Sequence, residues 1–318
     1  MRDTKNIAVL GAGTMGHGIA QCAATAGYAV ILSDPDEKTL ARGRAMIENS
    51  LKFMLSQGRL EPASAEAALS RITQEAEPRA AAARADFIFE AIFENLDLKQ
   101  ELFRSLGEWT GPEIILASNT SSFDIDRLAE AARHPERVIG AHWFHPAQIT
   151  PALEVIPTAR TSPETLAVVL DLAEKMGKYP TRCSNQPGFV ANRIQFAMLA
   201  EVLAIIEEGA ATPEEIDRII KSSLGFRLGC FGPCEIADQA GLDVYKSIYE
   251  SLYAATGRAV FQTPAAVTRL VQENRLGLKT GRGFYDYQAP GAGEAVLDRR
   301  DRRLMERLKL FERENLAN

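Results

Sequence analysis

The stretch Asn6-Ile7-Ala8-Val9-Leu10-Gly11-Ala12-Gly13-Thr14-Met15-Gly16 runs from a short apolar segment straight into three glycines spaced Gly-x-Gly-x-x-Gly. A helix-compatible segment follows. In this way a chain turns a strand into a helix whose first N–H groups face an anion such as a pyrophosphate. Gly11 permits the tight turn, Gly13 lets backbone approach phosphates with no Cβ in the way, and Gly16 lets the helix pack close to the sheet. Thr14 and Met15 sit between the glycines at the head of that helix. A second apolar run, Ala29-Val30-Ile31-Leu32, ends in Ser33-Asp34, and Asp34 lies 18 residues after Gly16. A carboxylate there accepts hydrogen bonds from an adenosine ribose and repels a 2′-phosphate. No arginine follows within the next few residues to offset that charge, so the reading favours NAD over NADP. FAD fits the glycines too, but is less favoured by residues further along. The plainer alternative is a glycine-rich turn of another α/β domain, with Asp34 capping a helix ahead of Pro35.

The bulk properties narrow the class. The 318 residues suit two domains. A formal net charge of −6 gives no electrostatic footprint for nucleic acid. No stretch is long and apolar enough to cross a bilayer; the run Phe196 to Ile206 is short and carries Glu201. The N-terminal apolar run belongs to the glycine motif, so it is not read as a signal peptide. The four cysteines, Cys22, Cys183, Cys230 and Cys234, are few and scattered, which points to a reducing compartment and a cytoplasmic location. Cys230 and Cys234 have no second Cys or His pair nearby, so no zinc site is expected.

Along the first half, strands are predicted over 6–10, 28–33, 86–91, 113–118, 137–143 and 151–156. They alternate with helices over 14–26, 36–57, 61–74, 94–108, 123–132 and 162–177. That alternation predicts a doubly wound, mainly parallel sheet. The stretch 36–74 exceeds one crossover helix and reads as a protruding helical hairpin joined around Gln57-Gly58-Arg59. After Ser184-Asn185-Gln186-Pro187-Gly188, which is turn chemistry, β-rich runs become scarce. A long, nearly apolar helix is predicted from Phe189 to Glu208, and Thr212-Pro213-Glu214-Glu215 opens another. Further helices are expected over 242–255 and 264–274, with a charged one closing the chain. The fold class is therefore α/β, an N-terminal Rossmann-type doubly wound sheet over 1–186 followed by a C-terminal all-helical domain over 187–318. Leaving one face of the long apolar helix in water is costly, at roughly 25 cal/mol per Å², so a homodimer through this half is expected.

Four histidines occur in the chain, two of them in Gly140-Ala141-His142-Trp143-Phe144-His145-Pro146 at the end of a predicted strand. Ligands of open α/β sheets sit beyond such strand ends. Twelve residues on, Glu154 interrupts the apolar strand Ala152-Leu153-Glu154-Val155-Ile156 and needs a partner if buried. A histidine held by a buried carboxylate is a general base with fixed ring and tautomer; a surface histidine and an edge-strand glutamate are the plain alternative. His142 and His145, three apart on a strand, diverge, so they and Glu154 are not expected to hold a metal. The cluster Ser118-Asn119-Thr120-Ser121-Ser122 follows a strand, where it lines a pocket or caps a helix. Asn192, on the first turn of the long helix, binds a substrate oxygen or serves as a structural amide.

Taken in order, these motifs resemble the L-3-hydroxyacyl-CoA dehydrogenase family along nearly the whole chain. The matches are Gly11 to Gly16 with Asp34, Phe89-Glu90-Ala91-Ile92-Phe93-Glu94-Asn95, Ser118 to Ser122, His142-x-Phe144-x-Pro146, Leu153-Glu154-Val155-Ile156 and Pro187-Gly188-Phe189-x-x-Asn192-Arg193. Gly232-Pro233, Asp238, Gly241-Leu242-Asp243 and Lys279-Thr280-Gly281-x-Gly283-Phe284-Tyr285 complete the series. The resemblance implies NAD as cofactor, His142 as general base and Glu154 as its orienting carboxylate. It places Ser121 on the substrate oxygen or nicotinamide, Asn192 on the substrate, and Glu94 and Lys99 along the cofactor. The chain departs from the family in carrying His145 where asparagine is usual, beside the nicotinamide. Its hairpin has fewer lysines for CoA phosphates, leaving Lys52 and Arg59 as candidates. Arg227 is a further charge suited to a free carboxylate, and the same scaffold resembles dehydrogenases of carnitine, gulonate and a pyridine-ring alcohol. A non-catalytic, crystallin-like role would have no need of the His142–Glu154 pair.

Overall fold

The opening run forms β1 (Asn6–Leu10) and the chain turns at Gly11 into α1 (Gly16–Thr25), in a computed structural model that describes residues 4–316. Only glycine serves at that turn. Gly11 has a φ of +101°, and a Cβ on it would meet the Ala91 carbonyl oxygen at 2.4 Å. A Cβ on Gly16 would lie 1.7 Å from the Gly11 carbonyl oxygen, so the helix starts tight against the strand.

The chain continues through β2 (Ala29–Ser33), α2 (Glu37–Ser56), α3 (Pro62–Ser70), β3 (Ile72–Glu75), α4 (Pro78–Ala83), β4 (Phe87–Glu90) and α5 (Leu96–Trp109). Then come β5 (Ile115–Ser118), α6 (Ile125–Ala131), β6 (Val138–Trp143), β7 (Ala152–Pro157), α7 (Pro163–Lys175) and β8 (Tyr179–Arg182). The sheet order is β3-β2-β1-β4-β5-β6-β7-β8. Every neighbouring pair is parallel except β6 and β7, which run antiparallel. Helices cover both faces, so the strands read as continuous apolar runs. On β1, Ile7 and Val9 join one core with Ile19 and Ala23, while Ala8 and Leu10 join another with Phe103 and Leu106.

Three expectations need correction. The helix predicted over 61–74 stops at Ser70, and Ile72–Glu75 is a strand paired to β2. β-Branched Ile72 and Thr73 suit a pleated surface better than a helix. β8 was not anticipated, because Tyr179-Pro180-Thr181-Arg182 is short, largely exposed and carries a proline, which a sheet tolerates at its edge. The helical hairpin does not simply protrude. Leu40, Gly43, Ile47 and Leu51 of α2 are buried, as are Ala65 and Ala68 of α3, and the apolar ones share one core with α1.

The chain divides into two compact units, Met1–Leu199 and Ala200–Asn318, with α8 (Ala191–Glu207) running across the division. The second unit is helical: α9 (Pro213–Ser222), α10 (Leu224–Leu228), α11 (Pro233–Ala240), α12 (Leu242–Thr256), α13 (Ala265–Gln272) and α14 (Ala292–Leu316). Thr212 and Glu215 close a capping box at the head of α9. Ala237, Leu242 and Leu270 make a small core within this unit. Among the described residues no helix is long and apolar enough to cross a membrane, and no group of three metal-ligating side chains forms.

Candidate active site

A cleft of about 1150 Å³ opens at the carboxyl ends of the strands within the first unit. Its walls include Gly11, Gly13, Thr14, Met15, Asp34 and Arg42 toward one end, and Glu94, Asn119, Ser121, His142, His145 and Asn192 toward the other. The chain's own geometry suits a dinucleotide. A Cβ added at Gly13 meets nothing within 4 Å, so the backbone there faces open cleft at the head of α1, where N–H groups and helix dipole favour phosphate. Gly16 lies buried beneath this turn and shapes it without lining the cleft. Asp34 Oδ2 accepts the Ala12 N–H at 3.0 Å and Oδ1 accepts the Asp36 N–H at 3.0 Å, so backbone fixes the carboxylate beside the turn.

No arginine stands within the seven residues after Asp34, yet one a little further on shares its wall. Arg42 lies eight residues on, and the turns of α2 bring it onto the same wall as Asp34, Pro35 and Thr39. Its charge reaches His17, a buried ring whose Nδ1–H donates to the Gly13 carbonyl at 2.9 Å. Burial lowers the pKa of His17 against the raising effect of that bond, and the charges of His145 and Arg42 lower it further.

At the other end, the antiparallel register sets His142 on β6 directly across from Glu154 on β7. His142 Nδ1 lies 2.8 Å from Glu154 Oε2, and both residues are buried. An ionised carboxylate only accepts, so Nδ1 carries the hydrogen and Nε2 is the nitrogen left for a substrate. The other oxygen, Oε1, accepts the backbone N–H groups of Val190 at 3.0 Å and Ala191 at 2.9 Å, with the Cys183 thiol at 3.7 Å. Burial would raise the Glu154 pKa, but the bonds from His142, Ala191 and Val190 outweigh it and hold the carboxyl below its ordinary value. The same surroundings push the Cys183 thiol up to about 11, through burial first and Glu154 second.

Local backbone makes this arrangement possible. Phe189 takes a left-handed φ of +48°, uncommon outside glycine. That conformation aims the next two N–H groups at Glu154, and the buried Phe189 ring packs 5.7 Å from the imidazole of His142. Phe144 lies at 4.6 Å from the same ring. The sequence marked His142 and Glu154; the Val190 and Ala191 amides and the Cys183 thiol carried no composition signal.

Ser121 and Asn192 meet: the Asn192 side-chain amide donates to the Ser121 carbonyl at 2.9 Å. Glu94 Oε1 gathers this loop by accepting the Thr120 hydroxyl, the Ser121 N–H at 3.0 Å and the Ser122 hydroxyl at 3.1 Å. Burial works to raise its pKa, yet the Thr120 hydroxyl and the Lys99 charge bring it below the ordinary value. Asn119 Oδ1 accepts the Trp143 N–H at 3.0 Å, tying the ends of β5 and β6 together. His145 stands exposed on the rim.

Other sequence-predicted residues lie elsewhere. Lys99 is 1% exposed and sits under the cleft, paired with Glu90 and, at 3.2 Å, with Glu94, so it is not on the wall. Fully buried Glu90 captures it, together with the Ser118 hydroxyl. Lys52 and Arg59 are exposed and do not line the cleft; Arg59 borders a separate hollow with Gln21, Met54 and Tyr179. Arg227 is exposed on α10 of the second unit.

Comparison with known proteins completes the picture. Residues 6–186 match the model of the 3-hydroxyacyl-CoA dehydrogenase NAD binding domain, and residues 188–287 that of the C-terminal domain of the same family. The probable 3-hydroxybutyryl-CoA dehydrogenase of Deinococcus radiodurans is 41% identical over 279 residues, 88% of this chain and 99% of the relative. The 5-formyl-3-hydroxy-2-methylpyridine 4-carboxylate 5-dehydrogenase of Mesorhizobium japonicum is 32% identical over 309 residues, 97% of this chain and 98% of the relative. Among solved structures, the 3-hydroxyacyl-CoA dehydrogenase of Archaeoglobus fulgidus superposes with a TM-score of 0.78 at 31% identity, covering 95% of this chain and 98% of that one.

Proposed function

Since this chain belongs to the 3-hydroxyacyl-CoA dehydrogenase family, we propose that it oxidises the secondary alcohol of an L-3-hydroxyacyl-CoA to the 3-oxo compound, with His142 as general base. The observation that carries this reading is His142 on the wall of the cleft, with buried Glu154 bonded to it from behind. Bound NAD supplies the hydride acceptor at its nicotinamide ring. His142 Nε2 takes the hydroxyl proton, and Glu154, already ionised and bonded to Nδ1, stabilises the imidazolium. Ser121 has no hydrogen bond to its hydroxyl among the described residues, which leaves that group for the substrate oxygen or the nicotinamide. Asn192 orients the substrate through its remaining amide atoms. Glu94 faces the nicotinamide end and His145 the rim beside it; Gly11, Gly13, Thr14, Met15 and Asp34 hold the pyrophosphate and adenosine. Lys99 acts on the cofactor only through Glu94.

In this division of labour residues 1–186 bind NAD and residues 187–318 serve substrate binding and dimerisation, in a cytoplasmic enzyme of fatty acid metabolism. None of the residues of α8 is buried in the single chain, and Ile194, Phe196, Met198, Leu199 and Leu203 expose apolar side chains. A patch of this kind marks an association surface, and a homodimer through it is the expected state; light scattering of a stable monomer at micromolar concentration would count against it.

A free hydroxy acid is the second reading, favoured by the likeness to the pyridine-carboxylate dehydrogenase, 32% identical over 97% of this chain. NAD reduction should be screened with 3-hydroxybutyryl-CoA, carnitine, gulonate and a pyridine alcohol. For a CoA substrate, removing Lys52 and Arg59 together should raise KM, most at low salt where exposed charges are least screened. For a free acid, Arg227→Met should abolish saturation through loss of a guanidinium–carboxylate contact. Turnover of none of these alcohols by folded protein would refute the reading.

A further inference from the structure

One cation on the cleft wall has no part in the chemistry above. Arg42 is exposed beside Asp34, Pro35 and Thr39. Among the described residues it has no hydrogen bond or ion pair of its own. Its neighbour Arg44 is fully engaged, with Glu48 at 2.9 Å and the carbonyls of Leu69 and Ile72 at 3.2 Å each. Asp34 is held by two backbone N–H groups, so the two opposite charges share a wall without closing on one another.

These charges act in opposite directions on one ligand group. A carboxylate repels a ribose 2′-phosphate. A guanidinium within reach accommodates one, and its forked donors match phosphate oxygens better than a point charge does. The spacing of Thr39 and Arg42, three residues apart on α2, puts both on the face turned to the cleft. We infer that Arg42 is a cofactor-specificity residue, a ready phosphate ligand kept silent by Asp34. The inference depends on the reading that the adenosine ribose lies at Asp34.

Calorimetric binding of NAD and NADP to four proteins tests it: the unmodified chain, Asp34→Asn, Arg42→Met and the double variant. Asp34→Asn should raise NADP affinity relative to NAD by at least about tenfold, the scale of one charge-assisted hydrogen bond. Adding Arg42→Met should remove most of that gain, and salt should erode it. A gain that survives Arg42→Met overturns the role of Arg42, as does an Arg42→Met variant that weakens both dinucleotides equally. An Asp34→Asn protein that binds both dinucleotides as before overturns the placement of the ribose instead. Should Asp34→Asn lose its cooperative melting transition, Asp34→Ser with and without Arg42→Met takes its place, and a relative gain in NADP that survives Arg42→Met refutes the inference.

Discussion

Two carboxylates are buried in the same sheet, and they differ in what their partners can reach. Glu90, at the end of β4, is closed in on every side: Lys99 and the Ile92 N–H take one oxygen and the Ser118 hydroxyl the other. Glu154, on β7, has backbone N–H groups on one oxygen and the imidazole of His142 on the other. Only the second pair opens to the cleft, because the imidazole has a second nitrogen to offer while the ammonium of Lys99 is spent inside. A buried ion pair is thus no mark of catalysis by itself; what matters is whether one partner keeps a free face toward ligand. Lys99 illustrates this, since the family resemblance put it along the cofactor and the structure puts it beneath.

The comparison breaks most visibly through His142. His142→Gln should lower turnover by about 10²–10⁴-fold, the range for a lost general base, while its melting temperature and NAD affinity stay close to those of the parent. Steady-state kinetics with a turned-over alcohol, alongside calorimetric titration of NAD, would check this. Lys99→Met should do the reverse. It strands Glu90 in the core, and removing one partner of a buried pair costs about 3–5 kcal/mol of stability, readable by urea unfolding. A Lys99→Met protein as stable as its parent would erase the distinction.

The smallest effect concerns acid stability. The Glu154 carboxyl is held below its ordinary value of 4.5 in the folded state, by the bonds that outweigh its burial. A depressed carboxyl contributes stability above the unfolded-state value, and that contribution is lost as pH falls through the folded one. Glu154→Gln should therefore be less stable near neutrality and lose less between pH 5 and the acid limit. Parallel unfolding curves for the two proteins across that range would contradict the assignment.

Much of the fold was legible because the central strands are buried on both faces and announce themselves as apolar runs. β3 and β8 did not, since at the edges Gln74, Glu75, Thr181 and Arg182 face water and the hydrophobic signal disappears. α4 was missed although Pro78 stands at its first turn, a usable start signal. In the site, His142 and Glu154 were legible as polar residues in apolar strands. The partners of Glu90, the amides presented by Phe189, and the presence of Arg42 on the wall that holds Asp34 arise from contacts between distant segments or from helical periodicity, and spacing along the chain does not display them.

The central claim is that His142 presents an unprotonated Nε2 to the cleft because Glu154 holds the hydrogen on Nδ1. Long-range ¹H–¹⁵N correlation of the His142 ring in the free protein, at a pH where the ring is neutral, reads this directly. The account predicts a protonated Nδ1 and a pyridine-like Nε2, with that preference lost in Glu154→Gln. A ring carrying its hydrogen on Nε2 in the unmodified protein would contradict it, because that nitrogen then has no lone pair with which to take a substrate proton.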